Sequence, residues 1–157
     1  MLIQKADISD LSQILQLQYN AYQSEAKLLN NYEIPPLKQT LEEFEHEYQI
    51  GIVLKALHDD GEIIGSVRGR VEGSTLLIGK LIVAPEYQGK GIGTKLLEEI
   101  EKAFPQKRYE LFTSSKSVRN IGLYEKMGYT IFNKKRISSD LYMVYLEKFA
   151  STEAEVC

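Results

Sequence analysis

Between Ile82 and Leu97 an apolar strand passes into an amphipathic helix through Pro85-Glu86-Tyr87-Gln88-Gly89-Lys90-Gly91-Ile92-Gly93. Glycine lets the backbone turn sharply and come close to a ligand. The first amides of the following helix have no intrahelical acceptors, and they sit at the positive end of the helix dipole. That combination predicts an anion seat suited to phosphate. Two nucleotide motifs do not describe it. A Walker A loop has Lys and then Ser or Thr after its last glycine, whereas Gly93 is followed by Thr94 and Lys95, the reverse order. A dinucleotide fingerprint fits poorly. Its G-x-G-x-x-G spacing would put glycine where Thr94 stands, and Pro85 with a polar stretch separates strand from first glycine. The position about twenty residues beyond Gly89, where that motif expects an acid, holds Tyr109 beside Glu110.

Gln88-Gly89-Lys90-Gly91-Ile92-Gly93, after a strand ending Ile82-Val83-Ala84-Pro85, resembles the acetyl-CoA loop of the GNAT superfamily of acyl-CoA N-acyltransferases. A second stretch, Arg119-Asn120-Ile121-Gly122-Leu123-Tyr124-Glu125-Lys126-Met127-Gly128-Tyr129, resembles a later helix of that family, with Asn and Tyr four residues apart. The two occur in the family's order, and the resemblance spans nearly the whole chain. It implies an α+β GNAT fold, a mixed but mostly antiparallel sheet with helices on both faces. It also implies acetyl-CoA as co-substrate and a primary amine as acceptor. By the same resemblance the backbones of Ile82 and Val83 bond the pantetheine arm. Gln88, Gly89, Lys90, Gly91, Ile92, Gly93 and Thr94 hold the phosphates, Asn120 hydrogen-bonds the cofactor, and Tyr124 stands near its sulfur as a general acid. Many relatives dimerise, so a homodimer is within the family's range.

With 157 residues, 43% of them hydrophobic and 26% charged, the chain is expected to be one domain over 1–150 with a frayed polar tail at 151–157. A net charge of −3 gives no electrostatic reason for nucleic acid binding. No apolar run suits a membrane helix, and the first residues lack the layout of a signal peptide, so a cytoplasmic protein without a membrane partner is expected. Cys157 is the single cysteine, which excludes an internal disulfide and argues against a pocketed nucleophile. His46 and His58 are the only histidines and lie on different elements with no cysteine nearby, so no metal is expected.

Periodicity and turn chemistry set out the rest. A strand at 2–6 leads to a helix capped by Asp7, with Leu11, Ile14, Leu15 and Tyr22 at helical spacing. Ile34-Pro35-Pro36 is expected to stop helix formation. Thr40 and Glu43 form a capping box for a second helix. Strands at 52–58, 62–72 and 75–83, joined by Asp60-Gly61 and Gly73-Ser74, make an antiparallel meander. The helix after the glycine loop has one apolar face, Ile92, Leu96, Leu97, Ile100, Ala103 and Phe104, and ends before Pro105. A strand at 109–113, a helix around Asn120, and a hairpin of 130–137 with 141–148 complete the chain.

Acetyl transfer from a thioester to an amine needs a deprotonated amine, stabilisation of the oxyanion and a proton for the departing thiolate, but no enzyme nucleophile. The lack of a Ser-His-Asp or Cys-His set agrees with such direct transfer. Tyr124 is the expected acid, although its neighbours Leu123 and Met127 also suit a core position. Asn120 has the alternative of a helix cap after Ser117. Many relatives carry a base on the strand before the loop, yet 75–83 contains no carboxylate. Glu72, near the Gly73-Ser74 turn, is the expected base, with Glu25, Glu33 and His58 behind it. The segment from Tyr19 to Leu37 lies where relatives shape the acceptor pocket. Tyr22, Glu25, Tyr32 and Glu33 are its candidate substrate contacts, and their carboxylates suit a cationic small-molecule amine or a protein amino group. A catalytically inactive acyl-CoA sensor and a nucleotide-dependent oxidoreductase are the alternatives.

Overall fold

The computed structural model describes residues 1–150; the expected tail at 151–157 lies outside them. Strand β1 (Leu2–Lys5) leads through a single 3-10 turn at Ile8–Asp10 into α1 (Leu11–Ala21), α2 (Gln23–Leu29), α3 (Pro35–Lys38) and α4 (Leu41–Ile50). Then come β2 (Ile52–Leu57), β3 (Ile63–Glu72), β4 (Thr75–Val83), α5 (Ile92–Ala103), β5 (Arg108–Ser114), α6 (Val118–Lys126), β6 (Thr130–Ser138) and β7 (Leu141–Phe149). The seven strands form one sheet in the order β1-β2-β3-β4-β5-β7-β6. Every neighbouring pair is antiparallel except β4 with β5.

That parallel pair is short. It holds only at Thr75↔Arg108, Leu76↔Tyr109 and Leu77↔Glu110, after which the strands part. β5 then continues against β7 as far as Ser114↔Met143. β4 continues against β3, but with an extra residue: Arg68 faces Gly79 while Ser66 faces Ile82, so Val67 alone opposes Lys80 and Leu81. Such a bulge bends its strand and raises its twist. Lys80 is held at φ +50°, a left-handed conformation that a non-glycine residue seldom adopts. From Ile78 onward the edge of β4 turned toward β5 has no strand partner, which leaves backbone donors and acceptors for another extended group.

Helices pack on both faces of the sheet. Helix α5 presses Ile92, Leu96, Leu97 and Ile100 against Leu76, Ile78 and Leu111 in one cluster. Gly65 and Gly69 of β3 permit this approach, since a Cβ at Gly69 would lie 3.0 Å from Ile100 Cδ1 and 3.1 Å from Leu76 Cδ1. On the other face Leu11, Ile14, Leu15 and Phe44 pack on Val53 and Ile63. Each such side chain, fully buried, contributes roughly 1.5–3 kcal/mol.

The predicted capping box at Thr40 is formed: Glu43 N donates to Thr40 Oγ1 at 3.1 Å, and Thr40 N donates back to Glu43 Oε1 at 2.8 Å. Two local expectations need correction. Pro35 and Pro36 begin a helix instead of ending one, because proline at the first helical positions has no amide to leave unpaired and its φ is already set. The preceding helix stops earlier, where Asn30 takes φ 51° at the end of α2, an element the periodicity did not distinguish from α1.

Gly51, between α4 and β2, has ordinary extended φ but no room. A Cβ there would stand 2.4 Å from the carbonyl oxygen of Gly69. Gly51→Ala is therefore expected to lower stability by about 1–3 kcal/mol, the usual cost of overpacking. Urea denaturation checks it, and an unchanged midpoint would contradict the contact.

Candidate active site

After β4, Pro85–Tyr87 forms a 3-10 turn, and the chain then passes Gly89 at φ +79° and Gly91 at φ +82°. Gly91 is the N-cap of α5, and no side chain caps that helix. The first helical bond runs from Lys95 N to Gly91 O at 3.1 Å, so the amides of Ile92, Gly93 and Thr94 keep their hydrogens for an outside acceptor. A Cβ at Gly91 would meet nothing within 4 Å, so the glycine serves the left-handed turn and keeps the approach open. Gly93 instead sits near α6, its Cβ position 3.9 Å from Leu123 Cδ2 and from Val83 Cγ2. Ile82 is buried in the core and Val83 is half-buried against it, both paired with β3 on the stretch of β4 whose other edge has no strand partner.

The loop's side chains are spread unevenly. Gln88 Nε2 donates to Val83 O at 3.1 Å, which folds this side chain back onto the strand end. Lys90 Nζ lies 5.5 Å from the Tyr87 ring, and the His58 ring lies against the same tyrosine, tilted by 50° with ring centroids 5.2 Å apart. Arg119, to which the sequence reading gave no role, brings Nη2 to 3.6 Å from the Cβ position of Gly89. Its place immediately before Asn120 was the available signal. Asn120 itself is exposed on the first turn of α6.

One helical turn beyond Asn120, Tyr124 is 7% exposed and belongs to the main core, its ring centroid 6.2 Å from that of Tyr129. The Tyr129 hydroxyl is committed, donating to Glu101 Oε2 at 2.8 Å. The Tyr124 hydroxyl has no protein partner among the described residues and is not sealed in. Burial first, then Tyr22 and the charge of Glu25, raises its pKa well above the ordinary tyrosine value. It stays protonated throughout the neutral range.

Helix α2 brings Glu25 to this place. Its Oε1 accepts hydrogen bonds from Ser114 Oγ at 3.0 Å and from Ser117 Oγ, and the two serine oxygens lie 2.9 Å apart. This clasp joins α2 to the end of β5 and the start of α6. Tyr22, between α1 and α2, is pushed up to about 12 by burial and by Glu25, against the opposing charge of Arg68. Tyr22, Glu25 and Tyr124 thus come together from distant parts of the chain.

Other expected residues do not join them. Glu72 is exposed at the β3–β4 turn, 3.7 Å from Arg70, where Glu72↔Thr75 closes the hairpin. Strand β4 runs from there to the glycine loop, about 26 Å at the usual rise per residue. The split opens beyond Leu77, away from Glu72, so the structure does not bring this carboxylate to Tyr124. Tyr32 is 55% exposed, and Glu33 is exposed and paired with Lys38.

The sheet face turned toward α4 opens at the same split into a groove of about 420 Å³ whose walls include Glu47, Arg68, Leu77, Lys80, Phe112 and Tyr145. Arg68 is buried in a polar network. Its Nη1 donates to Glu47 at 2.7 Å and Gln39 at 2.8 Å, its Nη2 donates to Gln18, and its guanidinium lies 3.6 Å over the Phe44 ring. Among the described residues there is no cluster of three or more metal-ligating side chains, and no helix is long and apolar enough to cross a membrane.

The strand split thus leads to a glycine-capped helix with free amides, and a protonated tyrosine is packed in the adjoining core. Residues 10–129 match the model of the acetyltransferase (GNAT) family, and the chain belongs to that family. Its fold is shared with a Streptococcus mutans protein, at TM-score 0.80 and 16% identity over 95% of this chain and 99% of that one. The PaiA N-acetyltransferase of Thermoplasma acidophilum, solved with coenzyme A, aligns at TM-score 0.75 and 18% identity over 95% and 98%. A putative acetyltransferase of Salmonella typhimurium, solved with acetyl-CoA, aligns at 0.73 and 19% over 96% and 94%. No curated protein sequence matches the chain.

Proposed function

We propose that this chain transfers the acetyl group of acetyl-CoA directly to a primary amine. The observation that carries the reading is the parting of β4 from β5 beyond Leu77, on the strand that leads to the uncapped amides of α5. The chain fits coenzyme A on its own geometry: an open left-handed glycine cap for phosphate, Arg119 and Lys90 beside it, and an unpaired strand edge at Ile82 and Val83 for an amide-bearing arm. Acetyl-CoA supplies the thioester. The amine nitrogen forms its bond to the acetyl carbon as the carbon–sulfur bond breaks, and Tyr124 gives its hydroxyl proton to the leaving sulfur. Glu25, the carboxylate nearest that hydroxyl on the acceptor side, takes up the amine's proton directly or through water in place of Glu72. Tyr22 and Glu25 border the acceptor, a small amine or a protein amino group.

Acetyl-CoA hydrolysis-corrected thiol release across a panel of amines tests the proposal. Steady release with at least one amine is expected. Coenzyme A binding with no thiol release for any amine would favour an acyl-CoA sensor, and NAD(P) binding in its place would favour an oxidoreductase.

A further inference from the structure

The groove on the α4 face carries an unbalanced charge. Of the charged side chains along it, Arg68 is paired with Glu47 at 2.7 Å, Arg70 with Glu72 at 3.7 Å and Glu110 with Arg108 at 2.8 Å. Lys80 has neither an ion pair nor a hydrogen bond among the described residues, although it is half-buried. The bulge fixes it there in a left-handed conformation, so the placement is built into the backbone. Beside it the Nε–H of Arg68 is buried without an acceptor. A buried donor left unpaired is costly, and a charged one more so. That Nε–H has no exposed surface and the Arg68 charge is met by Glu47, so Lys80 is the cation in the groove that lacks an anionic oxygen.

We propose that the groove receives the acceptor and that the acceptor is an amine bearing a carboxylate, which Lys80 holds. The inference rests on the acetyl-transfer reading and narrows its acceptor. It adds a carboxylate to the amine for which the carboxylates of the segment from Tyr19 to Leu37 were expected to be suited, of which Glu33 is engaged by Lys38. Burial and the charge of Arg68 depress the Lys80 pKa, with Glu47 only partly opposing, which is the signature of an ammonium short of counter-charge. Leu77, Phe112 and Tyr145 give the groove apolar walls for the rest of the molecule. Arg68 Nη2 donates to Gln18, whose backbone carbonyl accepts from the amide of Tyr22, so the groove's Arg68 is tied to the segment that carries Tyr22 and Glu25.

The test is calorimetric and independent of turnover. Protein saturated with coenzyme A is titrated with alanine, methionine, phenylalanine, glutamate and lysine, each beside its carboxamide. At least one acid is expected to bind more tightly than its amide by about tenfold or more, the worth of a hydrogen bond to a charged group. Lys80→Met should bring that ratio close to one with the amide's affinity unchanged, while Lys80→Arg should keep it. Melting temperatures confirm that both variants fold. Acids binding no better than amides throughout, no acid binding at all, or a preference that survives Lys80→Met would each overturn the proposal. Thiol release with amides but not acids would leave acetyl transfer standing without it. Carboxylate-dependent binding with no thiol release would do the reverse.

Discussion

Tyr124→Phe is expected to lower kcat by about 10²- to 10⁴-fold at neutral pH, the usual worth of a general acid. The substitution keeps the ring that packs in the main core beside Tyr129 and removes only a hydroxyl with no protein partner among the described residues. Folding stability and the KM for acetyl-CoA should therefore change little. The pH profile provides a second check. A general acid must be protonated, and burial raises this group's pKa above the ordinary tyrosine range, so its loss of a proton should not limit the wild-type rate until pH exceeds about 10. Full turnover in the variant with a lowered melting point would assign Tyr124 to the core alone.

The second large effect falls on binding. Gly91→Asp is expected to abolish measurable coenzyme A affinity while the fold persists. At φ +82° any side chain is strained, although Asp is among the residues that tolerate this region best, and a Cβ would meet nothing within 4 Å. The added carboxylate would cap the amides of Ile92, Gly93 and Thr94 from within and place negative charge where phosphate is to come. Gly91→Ala separates the two causes, since it adds the strain without the charge and should retain weakened binding. Calorimetry on the folded variants measures both. Unchanged affinity in Gly91→Asp would remove the phosphate seat from this loop.

The parts of this architecture that were legible in the sequence are those set by neighbours along the chain. Thr40 with Glu43 announces a helix start because both capping bonds close within one turn. The glycines at 89 and 91 announce an open helix end because few other residues take φ near +80°. The limits of β4 follow from the Gly73-Ser74 turn before it and Pro85 after it. What was hidden depends on strands and helices far apart in the chain. Nothing local to Gly79-Lys80 says that Val67 will face two residues, or that β5 will leave β4 after Leu77. Glu72 was attractive as a base because it lies near the right strand, but it occupies the wrong end of it. Glu25 reaches the Tyr124 region only because α2 forms as a separate helix, and its two serine partners lie some ninety residues away. Lys80 looked like one more lysine in a strand, and its isolation shows only when every other charge in the groove has been paired off.

The Glu25 clasp makes two jobs inseparable. One carboxylate anchors the segment proposed to border the acceptor, and its serine partners stand at the end of β5 and at the threshold of the helix that carries Tyr124. A lineage that altered α2 to admit a new acceptor would also shift the helix delivering the proton, so selectivity and rate would drift together. Tyr32 and Glu33, exposed on the loop before α3, carry no such tie. Changes there would put little of the chemistry at risk, and by the same exposure they would leave the cluster around Tyr124 untouched.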